Sequence, residues 1–425
     1  MEASPLRADR RRGAVAFCVG LVALAGCASY QPKPLDQVPF MERAETQERD
    51  GLRVTAAVLT PDESKQVFGV ELGKRRIQPV YLEIENGTGD PRWLMLRGMD
   101  PGYFSAHEAA YKAHFTFRGG TNRKMDAHFR EHGIEQAIEP GERATGFVFS
   151  TLKLGTKEVR VMLFGEGDVQ TFTFFIFVPG FQADYLDIDF DSLYSEEDMV
   201  DFETEEEFKA AIENLPCCTT SSVGTGEGDP LNLVLIGDGL DIKGAFIRAG
   251  WDETELLTGG SAWRTFKAAI SGAEYRYSPM SALYVFGRPQ DAGFQKTRAS
   301  IHEHNHLRMW LSNMRFQGRE VWIGTITRDI GVYFTTRAWN LTTHAIDPNT
   351  DEARTYLTED LAMARAIEKV GLVGGVGAST PEEPHRNLMN APWWTDGYRE
   401  VYLFADEPVF LDEIQFFSFD PTQEH

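Results

Sequence analysis

Short apolar runs with turn residues between them dominate the first half of the chain. They cover Leu52–Leu59, Pro79–Ile84, Trp93–Leu96, Thr145–Phe149, Val159–Phe164 and Thr171–Val178, and are rich in β-branched and aromatic residues. Gly, Pro, Asn and Asp fall between them, as in Asn86-Gly87 and Pro140-Gly141. Runs of this length and composition predict strands. Glu166-Gly167-Asp168, set between two such runs, predicts a hairpin turn. One helical interruption is expected near Phe104–Ala113. The pattern predicts an antiparallel β-sandwich of immunoglobulin-like type over residues 46–183. His107, His114, His128 and His132 stand in polar surroundings, which predicts surface histidines.

The period changes after Pro179. Between Asp184 and Glu213 there are thirteen acidic residues and a single lysine, Lys209. Thr204 and Glu207 have capping-box spacing, and Phe208, Ala211 and Ile212 make a helical stripe that Pro216 ends. The rest of residues 184–228 reads as a solvated acidic linker. Asp187-x-Asp189-x-Asp191, with Asp198 twelfth, has the spacing of a calcium loop. Ser192 stands where the sharp turn needs Gly, however, and the last ligand is Asp instead of Glu.

Residues 229–425 mix both periods. Strands are expected at Leu231–Ile236, Ala282–Phe286, His306–Leu311, Val321–Ile326, Val332–Phe334 and Val401–Phe404. Helices are expected at Ile242–Ala249, Ser261–Ile270 and Asp351–Val370, the last with Lys369 in its final turn and Gly371 as its cap. This order is α+β, so the whole chain is α+β with the sandwich first.

The first thirty residues have a different character. Arg7, Arg10, Arg11 and Arg12 precede a short apolar stretch, Gly13–Ala25, that ends in Leu24-Ala25-Gly26-Cys27. This resembles the lipobox of bacterial lipoproteins, in which cleavage precedes the cysteine and the cysteine carries the lipid, palmitate included. The resemblance implies a signal peptide over residues 1–26, lipid on Cys27 and a tether over 27–45. Ala28 after the cysteine implies the outer membrane, with the protein facing the periplasm. Cys217 and Cys218 remain, adjacent, and an oxidising compartment admits either a vicinal disulfide or two packed thiols. A formal charge of −22 argues against nucleic acid as a partner.

Several blocks of the C-terminal part recur in a known order. They are Pro230–Gly237, Leu283–Arg288, Gln290-Asp291, Phe294-Gln295, His306–Trp310, Gly324 with Asp329-Ile330-Gly331, His344–Pro348, and Asp351, Glu352 and Arg354. Together they resemble the LssY C-terminal domain family over about residues 229–405. The resemblance implies an appendage of membrane phosphatidic-acid-phosphatase-type proteins and supplies no catalytic residues. The phosphatase motifs themselves, a Pro-Ser-Gly-His block or Ser-Arg followed by His and Asp, are missing from this sequence.

The densest chemistry lies between Ser281 and Trp310. His302, His304 and His306 alternate, so an extended chain puts three imidazoles on one face about 7 Å apart. Such a row suits zinc or another divalent metal, with His344 and Asp347 completing the set His304, His306, His344 and Asp347. The same residues read also as a polar loop in which His304 and His306 cap carbonyls, and as a helix start capped by Asp347 or Asn349. Arg288, Asp291 and Arg308 are candidates for ligand binding, because guanidinium groups clamp anions bidentately. Together with Asp329 they read equally as a buried ion-pair network. Gly371–Thr380 is glycine-rich but lacks the lysine of a phosphate loop; near Trp393-Trp394 it reads as a lid over an apolar pocket, and the two tryptophans read equally as core. Two functional readings stay open. One is a lipid-anchored envelope lipoprotein whose head binds a ligand or serves an envelope protein or lipid partner. The other is a metal-dependent hydrolase of phosphorylated or lipid-derived substrates.

Overall fold

The computed structural model describes residues 30–181, 183–254, 282–297, 304–334 and 342–423. Cys27, His302 and the helix expected at 261–270 lie outside the described residues. Among the described residues no helix is long and apolar enough to cross a membrane.

The first half contains eight strands: β1 (Glu45–Arg49), β2 (Leu52–Val58), β3 (Ile77–Asn86), β4 (Arg92–Leu94), β5 (Ala137–Ile138), β6 (Arg143–Thr151), β7 (Gly155–Phe164) and β8 (Val169–Val178). They form two four-stranded sheets, β1-β2-β3-β6 and β5-β4-β7-β8. All pairings are antiparallel. Alternate residues of β2 and β3 (Val54, Val58, Leu82, Ile84) meet Val159, Val161, Phe172 and Phe174 of β7 and β8 in one shared core. The Glu166–Asp168 turn closes the β7–β8 hairpin as expected, with Gly167 at φ 82°.

The helical content here exceeds the one interruption expected. It comprises α1 (Pro61–Phe68), a single turn α2 (Leu96–Met99), α3 (Ala106–Lys112) and α4 (Gly119–Glu131). Val67, Phe68, Ala110, Met125 and Phe129 of three of these helices pack on Ala57, Phe147 and Phe149, so the first sheet is covered on both faces. His128 and His132 belong to this packing and are not surface groups. Their rings lie 4.2 Å apart and both meet Phe68 edge-on.

The second half holds β9 (Val200–Phe202), α5 (Glu205–Glu213), β10 (Leu233–Ile236), α6 (Gly239–Arg248), β11 (Asp252–Glu253), β12 (Tyr284–Val285), β13 (Arg288–Pro289), β14 (Ala292–Thr297), β15 (His304–Phe316), β16 (Arg319–Phe334) and β17 (Thr342–Ile346). α7 (Thr350–Met363), β18 (Ile367–Val373), β19 (His385–Arg386), β20 (Pro392–Trp393), β21 (Arg399–Phe404) and β22 (Gln415–Phe416) follow. A mixed ten-stranded sheet runs β11-β14-β15-β16-β10-β21-β18-β22, with β9 on β15 and β17 on β16. α6 and α7 cover one face through Ile242, Phe246, Ala353 and Leu357. α5 covers part of the other through Phe208 and Ile212. The architecture is α+β.

Two expectations need correction. The acidic stretch is not a solvated linker: β9 pairs parallel with Met314–Phe316, and Phe208 and Ile212 are fully buried. Its aromatic residues are buried or half-buried while its carboxylates stay mostly at the surface. The long helix ends at Met363, and Lys369 and Gly371 lie in β18. Arg365 turns left-handed at φ 57°, and the Ala366 and Arg365 amides close on the Leu361 and Ala362 carbonyls. This is a Schellman stop without its usual glycine.

The halves meet through polar contacts beside α6. Lys153 donates to the Trp251 carbonyl (3.1 Å) and pairs with Asp252 (3.4 Å). The Glu253 carboxylate accepts both the amide and the hydroxyl of Thr156 and a bond from Tyr185. A Cβ at Gly155 would stand 2.3 Å from that carboxylate, and the residue has φ 73°, so only glycine fits there.

Candidate functional site

β15 splits its side chains between two environments. Leu307, Met309 and Leu311 enter the core under α6 and α7. His304, His306 and Arg308 alternate with them and therefore occupy the opposite face. Register fixes their neighbours: Thr297, Gln295 and Gly293 of β14 lie opposite His304, His306 and Arg308. On β16, Thr327 lies opposite His306 and Thr325 opposite Arg308. Gln295, His304, His306, Arg308, Thr325, Thr327 and Asp329 are all buried. Farther along the same face, Trp310, Val321 and Ile323 join the apolar core under α5. The face is thus half apolar and half polar.

Within the polar half, His306 Nε2 lies 2.9 Å from Asp329 Oδ2. The His304 and His306 rings are 5.5 Å apart. Burial lowers the pKa of the Arg308 guanidinium, and the carboxylates of Asp229, Asp329 and Asp184 act against that. Burial pushes the Asp184 carboxyl up to about 8, with bonds from its own amide, Gly293 and Thr254 opposing. Asn232, just before β10, bonds both the amide (2.9 Å) and the carbonyl (3.2 Å) of Ile326, in the manner of a peptide group.

The other residues expected at a site are placed as follows. Arg288 grips Asp291 bidentately (2.9 and 2.8 Å) and also reaches the Tyr194 hydroxyl and the Leu311 carbonyl. Asp291 in turn accepts from the Leu311 amide at 2.7 Å. That pair is a brace tying the acidic stretch to β15. Asp347 accepts from the Asn349 amide at 3.1 Å, a turn that starts α7. His344 lies opposite Val332. Val332 is five positions along β16 from Thr327, about 16 Å in strand direction. Of the four metal candidates the structure therefore brings His304 and His306 together, and the carboxylate at His306 is Asp329, not Asp347. Among the described residues, Cys217, Cys218 and Glu227 form a group of three possible donors within 4.8 Å, but the two cysteines are joined as a disulfide. Gly371–Val373 belong to β18, and fully buried Trp393 packs with Val376 and Cys218, so the tryptophan is core, while Gly375, Gly377, Ala378 and Thr380 of the loop stay exposed.

Residues 212–398 match the family model of the LssY C-terminus. This segment is an LssY C-terminal domain. The match begins at Ile212 inside α5, earlier than the resemblance around residue 229 implied, and so includes the helix that closes the apolar half of the sheet. The polar half of β14–β16 lies wholly within the LssY domain. No curated protein matches the chain. Thr325, Thr327, Asp184 and Asp229 are additions that sequence reasoning missed. The period-two alternation of Thr325 and Thr327 with Asp329, already singled out, was the available signal for two of these four.

Proposed function

We propose that the chain is a lipid-anchored envelope protein of the outer membrane, facing the periplasm. In this reading Cys27 carries the lipid, the two-sheet domain is an immunoglobulin-like spacer, and the LssY domain binds a polar ligand. The observation that carries it is the polar half-face of β14–β16. A sheet built for stability alone would continue the apolar pattern of Trp310 and Ile323 to its end, because every buried polar side chain has to be matched by a partner while an apolar one does not. Proteins keep such groups where they meet something. A Cys27→Ala chain should leave the membrane fraction and appear soluble. Its retention in the membrane would overturn the anchoring.

A specific observation favours a second reading, the metal-dependent hydrolase. Metal-bound histidines nearly always donate their other ring N–H to a carboxylate, a backbone carbonyl or water, and Asp329 stands in that relation to His306. Zinc or another divalent ion would then sit between His306 Nδ1 and His304. Elemental mass spectrometry on residues 28–425, purified without a tag, separates the readings. Near-stoichiometric metal that vanishes in a His304→Ala/His306→Ala variant would establish the metal site. Metal-free protein with an equally stable variant would leave the binding module alone.

A further inference from the structure

On the opposite face of the sheet lies a cleft of ≈ 350 Å³ between α6 and the acidic stretch. Its floor is apolar, formed by Phe294, Met309 and Trp322, and Tyr185 and Phe190 make its side. The Phe190 and Trp322 rings stand 5.5 Å apart, tilted by 60°. Asp191, Asp238 and Glu320 line the cleft with one cation, Lys243, whose Nζ rests 5.3 Å over the Tyr185 ring.

The charge pattern decides what fits. A helix N-terminus normally invites anions, but here its donors are engaged. The Leu240 amide bonds Asp238 (2.8 Å), and the Gly239 amide bonds Glu320 (3.2 Å), which also accepts from the Trp322 indole (3.2 Å). Three carboxylates against one ammonium repel an anion and attract a cation. The aromatic walls add to this, since ring faces attract cations, quaternary ammonium above all. The cleft volume lies in the range of small-molecule sites.

We propose that this cleft binds an organic ammonium ion with an apolar body, either as a free amine or as the cationic headgroup of a lipid. The apolar part lies on Phe294 and Met309, and the ammonium sits among the carboxylates, Trp322 and Phe190. This assigns a role to the acidic stretch, which supplies Phe190 and Asp191. The site is separate from the His306 face, so either reading can fail without the other.

Calorimetric titration of the full chain with octyltrimethylammonium, and with octyl sulfate as the anionic counterpart, tests it. The ammonium should bind one to one and at least about tenfold tighter than the sulfate. Asp238→Asn/Glu320→Gln keeps the capping acceptors and should weaken the ammonium by about tenfold or more. Exposed Asp191→Asn, which disturbs no packing, should weaken it in the same direction. Equal binding of octyl sulfate, no binding of the ammonium, or unchanged affinity in folded variants would each overturn the proposal. Phosphatidylcholine vesicles, compared with phosphatidylglycerol vesicles, tell the sources apart. Selective capture of the chain by the choline lipid assigns the headgroup, and binding of free octyltrimethylammonium alone assigns a soluble amine.

Discussion

Thr325 carries a fully buried hydroxyl that meets no hydrogen-bond partner among the described residues. In a face kept for stability such a group is a pure cost. Thr325→Val should therefore raise the stability of the free protein by about 1 kcal/mol, read as a higher denaturation midpoint. A loss of stability instead would mean that the hydroxyl has a partner. Arg399 shows the contrasting case: equally buried, it spends its guanidinium on the carbonyls of Leu231, Ile212, Leu215, Pro216 and Gly375. Burial lowers its pKa to about 10. The site was legible in the sequence only along one strand. His304 and His306 announce themselves by alternation, but Asp329 reaches His306 across a strand pair, and Asp184 and Asp229 come in from outside the paired strands. Period shows which face a side chain takes; it does not show which residue stands opposite, because register is a tertiary property.

Strands and helices were read with uneven success, and the failures share a cause. β15 and β16 run 13 and 16 residues, longer than the apolar runs that marked them. Their outer parts alternate polar with apolar, and only the continuous apolar middle stood out. Between them Gln317 (φ 50°) and Gly318 (φ 76°) make a two-residue hairpin, and β16 then runs unbroken from Arg319 through the expected strand at Val332–Phe334. α1 was missed although Thr60 and Glu63 form a full capping box behind Pro61. α5 was found, but its acidic surroundings hid how deeply it packs. Phe208 lies 4.7 Å from the Phe316 ring and is fully buried. Lys369 and Ser418 both engage Glu205 at the start of the same helix. Phe208→Ala should consequently destabilise the LssY domain by about 3 kcal/mol or more. Chemical denaturation of the full chain measures this, and an unchanged midpoint would return α5 to the status of a linker.

The two halves are joined where their titratable groups are least solvated, which ties the stability of the molecule to pH. The Asp184 amide donates to the Thr254 carbonyl (3.2 Å) and its carboxylate accepts from the Thr254 hydroxyl (3.3 Å), beside the Glu253–Thr156 contact, and burial pushes that carboxyl up to about 8. Glu400, on β21, is likewise pushed up to about 7 by burial, with Arg354 pulling the other way. A carboxyl raised on folding contributes stability that is complete below its unfolded value and is lost as pH rises through its folded value. Both groups therefore weaken the fold between about pH 5 and pH 8, and for Glu400 alone a shift of this size corresponds to roughly 3 kcal/mol. Glu63, Glu205 and Asp396 are lowered, although burial alone would raise them, because Arg43, Lys369 and Arg354 respectively hydrogen-bond them. They oppose the trend only below about pH 4.5. The expected profile is a stability maximum in mild acid and a decline toward pH 8, the reverse of a protein governed by depressed carboxylates. Denaturation at pH 5, 6, 7 and 8 gives the slope directly. Asp184→Asn removes the proton but keeps the shape, and should flatten the slope while gaining stability at pH 8. A profile that rises with pH, or a slope the variant leaves intact, would show that Asp184 is ionised in the folded state. The Arg308 guanidinium would then be its counter-charge across the polar face.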